Sequence, residues 1–142
     1  MIKHSIFAKK VLESRTNLPS VIGMPNQMQG GAVSNWIEKG LHLQHGPIDL
    51  IVNAEGTSNA VVSAYSKAAD TFCGLLSDLV KELPLLRSPA IFNKPTKFKG
   101  EVARRMELAT RPYLNRYQDK DYITPMVAVA GSVADQVLSA MG

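Results

Sequence analysis

The sequence has few residues of the kinds that build crosslinked, metal-bound or membrane-embedded proteins. Its single cysteine, Cys73, cannot form an internal disulfide bond and cannot supply a cysteine-based zinc site. Aromatic residues make up only 6% of the chain. No apolar run reaches the ~18 residues that a membrane-spanning helix needs. Cys73 lies within an apolar helical pattern, so we expect it to be a buried small residue. We also expect a cytoplasmic location and no membrane contact.

Charge of one sign is not concentrated anywhere along the chain. The net charge is +4, but the 16 lysines and arginines are scattered. A nucleic-acid patch is typically a block of about five or six like charges. The pattern favours a solvated, mildly basic surface and no nucleic-acid partner. With 142 residues, 45% of them hydrophobic, the chain has the size and composition of one globular domain.

Residues 1–31 show no clear periodicity. The stretch "TNLPSVIGMPNQMQGG", residues 16–31, carries two prolines and three glycines, which is typical of loops. We predict a poorly ordered N-terminal segment over residues 1–31 and a single α+β domain over residues 32–142.

Three short stretches then alternate apolar and polar residues with a period of two. They predict strands near residues 32–37, 41–45 and 48–55, joined into a small antiparallel sheet with one buried face. Gly40 can adopt the positive φ that a tight turn needs, and the Gly-Pro pair at residues 46 and 47 ends the second strand.

The period changes to that of a helix after the third strand. Helices are predicted over residues 59–83, 100–115 and 124–141. Pro84 ends the first, and Gly74 within it costs about 1 kcal/mol relative to alanine unless a close neighbour requires it. The apolar stripe of the first helix contains Val61, Tyr65, Ala68, Phe72, Leu75, Leu76, Leu79 and Leu83. The buried side of the second contains Val102, Met106 and Ala109.

The last helix has little side-chain bulk on most of its surface. Thr124 is a good N-cap with Pro125 after it, and the helix N-terminus could bind a phosphate, although every helix has such an end. The small residues, among them Gly131, indicate either close packing against a neighbour or close approach of a ligand. Asp135 is the only charge in this helix. It could be a metal ligand, a hydrogen-bond partner of a ligand, or a solvated surface charge.

Two histidines lie in the second predicted strand. His42 and His45 are three residues apart, so their side chains point to opposite faces and cannot together hold one metal ion. Of the two, His45, beside the Gly-Pro turn, resembles a site residue more closely, but a histidine that hydrogen-bonds locally is the favoured interpretation. No phosphate loop, Ser-His-Asp arrangement or metal-binding histidine motif is present. Catalytic residues therefore stay unassigned, and no metal ligand is predicted.

Four stretches resemble a known family. "LHLQHGPIDLIVNAEG", "LLSDLVKELPLLR", "VARRM" and "ITPMVAVAGSVADQVLSAM" together look like an uncharacterised bacterial and archaeal family related to the ApbE proteins. ApbE proteins are flavin transferases that use magnesium and FAD to attach FMN to a target flavoprotein. The resemblance implies an ApbE-like α+β fold and binding of a flavin nucleotide or another phosphate-bearing ligand.

The resemblance also suggests which residues would bind that ligand. The segment "MVAVAGSVAD" is similar to the transferase segment that opens a helix beside the flavin nucleotide. Gly131 falls on its glycine and Asp135 on its closing aspartate, whereas Ala130 stands where the transferases have a lysine. We expect Thr124, Gly131, Asp135 and His45 to bind the cofactor.

The resemblance covers only the N-terminal half of such proteins. It implies a truncated or split family member that has no turnover alone, with FAD and magnesium bound only by the complete protein. The alternative is a non-enzymatic interaction module, or one half of a split protein, that associates with a second chain or with a second copy of itself.

Overall fold

The computed structural model describes residues 4–7, 31–37, 40–114 and 123–142. The described residues form four strands and four helices, together with two 3-10 turns. The strands are β1 (His4–Phe7), β2 (Val33–Ile37), β3 (Gly40–His45) and β4 (Ile48–Asn53). The helices are α1 (Ser58–Lys81), α2 (Leu83–Leu86), α3 (Glu101–Thr110) and α4 (Val129–Met141). The 3-10 turns are Arg111–Tyr113 and Pro125–Ala128. The predicted α+β class is confirmed.

The strands form one sheet in the order β1-β4-β3-β2. The three predicted strands are present as the antiparallel run β2, β3 and β4, with ends that differ by one or two residues from the prediction. The two-residue turn between β3 and β4 holds Gly46 at a φ of +55°. β1 lies in the segment predicted to be poorly ordered and pairs parallel with β4. Nearly all the rest of that segment is outside the described residues.

One face of the sheet is buried and the other is partly open. Leu41, Leu43, Leu50 and Val52 are at most 3% exposed and lie on the same face. Ile51, which points the other way, is 36% exposed. The alternation of apolar and polar residues in the sequence therefore predicted correctly which face of the sheet is buried.

α1 covers the buried face with small residues between large ones. Ala64, Ala68 and Ala69 are buried together with the larger side chains Tyr65 and Phe72. The ring of Phe72 lies 6.4 Å from the ring of His45 in β3. The predicted stripe is largely correct, although Val61, Leu76 and Leu83 are only half-buried. Cys73, expected inside the core, is also only half-buried.

Tyr65 joins α1 to the sheet. Its ring meets the ring of Trp36 edge-on, with centroids 4.9 Å apart. Its hydroxyl accepts a hydrogen bond from the backbone N–H of Ala54 and donates one to Asn53 Oδ1. The side chain is 1% exposed, and burial raises the pKa of its hydroxyl. The Ala54 hydrogen bond lowers this pKa, and the charge of Glu55 raises it further.

The chain forms two compact units. One contains residues 1–76 and 136–142, and the other contains residues 77–135. The second unit has its own apolar core, with Leu86, Met106 and Ala103 at most 1% exposed. The single domain predicted over residues 32–142 stays a prediction.

α1 ends earlier than predicted, and Pro84 is not the residue that ends it. The helix finishes at Lys81, and Pro84 lies in the first turn of the short helix α2. α3 ends at Thr110 and continues as a 3-10 turn. Its buried residues include Val102 and Met106 as predicted, but Ala109 is exposed and Thr110 is buried instead. The Thr110 hydroxyl can be buried because it donates to the carbonyl of Glu107.

α4 begins later than the sequence suggests. Pro125 starts a 3-10 turn, and the α-helix begins at Val129. Its buried side contains Ser132, Val133 and Val137. None of the helices in the described ranges is both long enough and apolar enough to cross a bilayer.

Gly40 and Gly74 make a matched pair for testing the fold. A Cβ at Gly40 would lie 2.2 Å from the carbonyl oxygen of Val52, and its φ of +147° disfavours other residues. A Cβ at Gly74 meets nothing within 4 Å among the described residues. We expect Gly40→Ala to lower the free energy of unfolding by roughly 3 kcal/mol or more, and Gly74→Ala to raise it by about 0.5–1 kcal/mol. Urea unfolding measures both, and equal effects would contradict this account.

Stability should fall at alkaline pH because of Tyr65. In the unfolded chain the Tyr65 hydroxyl ionises at about pH 10, whereas in the folded protein it keeps its proton to higher pH. Stability is therefore full below the unfolded pKa and is lost as pH rises through the folded pKa. We expect Tyr65→Phe to cost about 1–2 kcal/mol at neutral pH and to flatten the alkaline decline. Urea unfolding from pH 8 to 11 checks this, with the exposed Tyr113→Phe as control; an unchanged slope in Tyr65→Phe would be contrary evidence.

Candidate functional site

The structure places His45 in the core of the first unit. It lies at the end of β3 on the face covered by α1 and is 8% exposed. Its Nδ1 is buried and has no hydrogen-bond partner among the described residues. A Cβ on Gly31 would lie 3.8 Å from its Nε2. The local hydrogen bond considered for this histidine is therefore not seen within the described part of the chain.

The other three predicted site residues lie in the second unit. Thr124 is half-buried, and its side chain makes no capping hydrogen bond. It precedes the 3-10 turn Pro125–Ala128, so it is not the N-cap of α4. Thr124 thus holds the N-cap position of the 3-10 turn that runs into α4, but without the hydroxyl hydrogen bond that the sequence suggested.

Gly131 and Asp135 share the exposed side of α4. They are one helical turn apart, and both are exposed. A Cβ at Gly131 would meet nothing within 4 Å among the described residues. Close packing within the described chain therefore does not account for the glycine, and its assignment to a ligand remains a prediction.

A histidine–carboxylate pair lies on the open face of the sheet. His42 Nε2 is 2.6 Å from Asp49 Oδ1, and the two side chains are 27% and 18% exposed. Asn35 lies opposite His42 in the strand register, and Gln44 lies opposite Asp49. As predicted, His42 and His45 point to opposite faces. Within the described residues, no group of three or more His, Cys, Asp or Glu side chains could hold a metal ion.

The second unit contains a loop that two carboxylates hold in place. Glu82 accepts hydrogen bonds from the backbone N–H groups of Lys99 and Gly100, at 2.7 and 2.8 Å. Glu107 of α3 accepts one from the backbone N–H of Thr96, at 2.7 Å. The Glu82 carboxylate also lies at the N-terminus of α3, where the helix dipole favours an anion. The anion position of that helix is thus already filled by the chain itself.

Three large apolar side chains of the same unit are strongly exposed. Leu108 is 61% exposed, Tyr113 74% and Val127 70%, the highest values for large apolar residues within the described ranges. They belong to α3, to the 3-10 turn that continues it, and to the 3-10 turn Pro125–Ala128, which packs against α3. We call these three residues the α3 surface. The sequence indicated it only weakly, because Leu108 lies outside the predicted stripe of α3.

Comparison with known proteins corrects the predicted relationship. A family model described as AbpE bacteria (AbpE_bact) matches residues 34–142. AbpE is a different family from ApbE, and nothing in the comparison relates the two. The predicted relationship to the flavin transferases was therefore wrong. No curated protein and no solved structure was found to match the chain. Since the matching model covers most of its length, the chain belongs to the AbpE bacteria family.

Proposed function

We propose that this chain is a non-enzymatic binding module that docks on a second polypeptide through the α3 surface. The observation that carries the proposal is the exposure of Leu108, Tyr113 and Val127 on elements that pack together. Apolar side chains scattered singly are normal on a protein surface, but a group of them typically marks an interaction site.

The energetics favour docking on this surface. Burying a large apolar side chain contributes about 1.5–3 kcal/mol relative to leaving it exposed. The three side chains are already partly covered, so each can contribute on the order of 1 kcal/mol when a partner covers the rest. An aromatic residue beside aliphatic ones is also a common composition at the centre of interfaces.

The α3 surface is supported by a rigid base. Val102, Ala103 and Met106 anchor α3 in the core of the second unit. Glu82 binds the backbone at the start of this helix. A surface that is already ordered loses less conformational entropy on binding than a flexible one. The exposed side chains can therefore meet a partner without refolding of the helix.

A catalytic alternative has less support. The His42–Asp49 pair has the geometry of a histidine oriented by a carboxylate, but two hydrogen-bonded side chains are not by themselves a catalytic site. Binding of a flavin nucleotide, with FAD and magnesium in a complete protein, no longer has a family relationship behind it. His45, Thr124, Gly131 and Asp135 remain predictions in that role.

The second polypeptide can be another protein or a second copy of this chain. We place the association in the cytoplasm. A single cysteine excludes an internal disulfide, and this fits a reducing compartment.

Photo-crosslinking in the native cells tests the proposal. A photoreactive amino acid at position 108 or 113 should give one polypeptide adduct of defined mass, because both side chains would be covered by the partner. The matched control is Val80, which is 54% exposed on α1 and lies outside the α3 surface. Adducts are read by mass on denaturing gels and by mass spectrometry.

A second variant separates docking from chance contact. Leu108→Glu leaves the core untouched and should change the free energy of unfolding by less than about 0.5 kcal/mol. Combined with the photoreactive residue at position 113, it should remove most of the adduct. Equal adducts at positions 80, 108 and 113, or none at positions 108 and 113, would overturn the proposal.

A further inference from the structure

We propose that the partner of the α3 surface presents carboxylates to a basic loop formed by residues 94–99. This inference rests on the proposed function and adds the chemistry of the partner. The loop contains Lys94, Lys97 and Lys99, and all three are exposed. The partner is then an amphipathic polypeptide segment whose acidic residues flank its apolar ones.

The loop holds its lysines in a defined position. Its backbone is bound at Thr96 by Glu107 and at Lys99 by Glu82. Phe98, 5% exposed, anchors it in the core of the second unit, and a short bridge pairs Ile91 with Lys94 at its start. The lysine side chains therefore extend from a fixed backbone.

The ammonium groups of the loop lysines have no direct carboxylate partner among the described residues. Lys94, Lys97 and Lys99 form no ion pair within the described ranges, although three pairs of a lysine or arginine with a carboxylate are present elsewhere in them. The two carboxylates that contact the loop accept hydrogen bonds from backbone N–H groups and not from lysine ammonium groups. Three like charges within six residues repel one another, and a negatively charged partner would relieve that repulsion.

Arg104 connects the basic loop to the α3 surface. Its guanidinium donates a hydrogen bond to the carbonyl of Lys99, at 2.7 Å. Arg104 and Leu108 are one turn apart on α3, and both are exposed. The basic loop therefore borders the apolar surface along the same helix. A partner that covers Leu108 would bring its flanking residues toward Lys99.

A nucleic acid would also offer negative charge, but the surroundings favour a polypeptide. Single-stranded nucleic acids bind basic grooves in which exposed aromatic rings stack on the bases. The aromatic side chain inside this loop, Phe98, is buried. The three residues of the α3 surface are two aliphatic side chains, Leu108 and Val127, and one aromatic side chain, Tyr113. This largely aliphatic composition suits the apolar residues of an amphipathic segment better than a row of stacked bases.

Peptides of defined charge test the inference. Three fluorescent amphipathic peptides share a leucine face and carry glutamate, glutamine or lysine on the other face. Fluorescence anisotropy measures their binding to the full chain, with a duplex DNA as a separate probe. We expect the glutamate peptide to bind roughly 10-fold tighter than the glutamine peptide at low salt, and the lysine peptide to bind weakest. The preference should shrink as salt is added.

Two variants assign that preference to the basic loop. The triple variant Lys94→Gln, Lys97→Gln, Lys99→Gln should bind the glutamate and glutamine peptides about equally and leave the affinity for the glutamine peptide unchanged. Lys67→Gln removes an exposed lysine from α1 and should keep the preference. Circular dichroism and urea unfolding confirm that each variant folds.

Several outcomes would overturn the inference. They are equal binding of the three peptides by the natural chain, no peptide binding at all, and a preference that survives the triple variant. DNA binding that is lost in the triple variant, without a preference among the peptides, would assign the loop to a nucleic acid. Crosslinking at positions 108 and 113 uses no peptide. Intact crosslinking with no charge preference would therefore overturn this inference and leave the proposed function standing.

Discussion

The second unit depends on two carboxylates that bind backbone N–H groups. Glu82 and Glu107 fix both ends of the stretch from Thr96 to Gly100. A buried N–H without a partner costs about 1–3 kcal/mol, so the part-buried contacts at Thr96 and Gly100 favour this position of the loop. Because the carboxylates face the backbone, the lysines of the same loop face solvent. The same arrangement thus provides hydrogen-bond acceptors for the backbone N–H groups before α3 and places the exposed lysines of the basic loop beside the α3 surface.

Local patterns predicted much of the architecture. The strands β2, β3 and β4 and the helix α1 follow from period-two and helical spacing, since each is set by residues close in sequence. β1 was not predicted, because its pairing with β4 depends on a distant segment. Ala109 was assigned to the core because apolar spacing cannot show that Thr110 satisfies its own hydroxyl within the helix.

The candidate sites could be predicted from the sequence less well than the fold. Lys94, Lys97 and Lys99 do not form a continuous charged block, and their common exposure results from contacts that join residues 17 positions apart. The resemblance to ApbE relied mainly on small residues near the end of the chain. Such residues fit many helices, and Gly131 in fact lies on an exposed side of α4. Composition of this kind is a weak basis for a family assignment.

The parallel pairing of β1 with β4 has a consequence for the order of assembly. His4 pairs with Leu50, far along the sequence, whereas β3 and β4 are joined by a two-residue turn. The entropy of closing so long a loop delays the pairing of β1 with β4. We therefore expect β1 to join the sheet late in folding, so that the edge of β4 stays unpaired until then and is open to strand pairing with another chain.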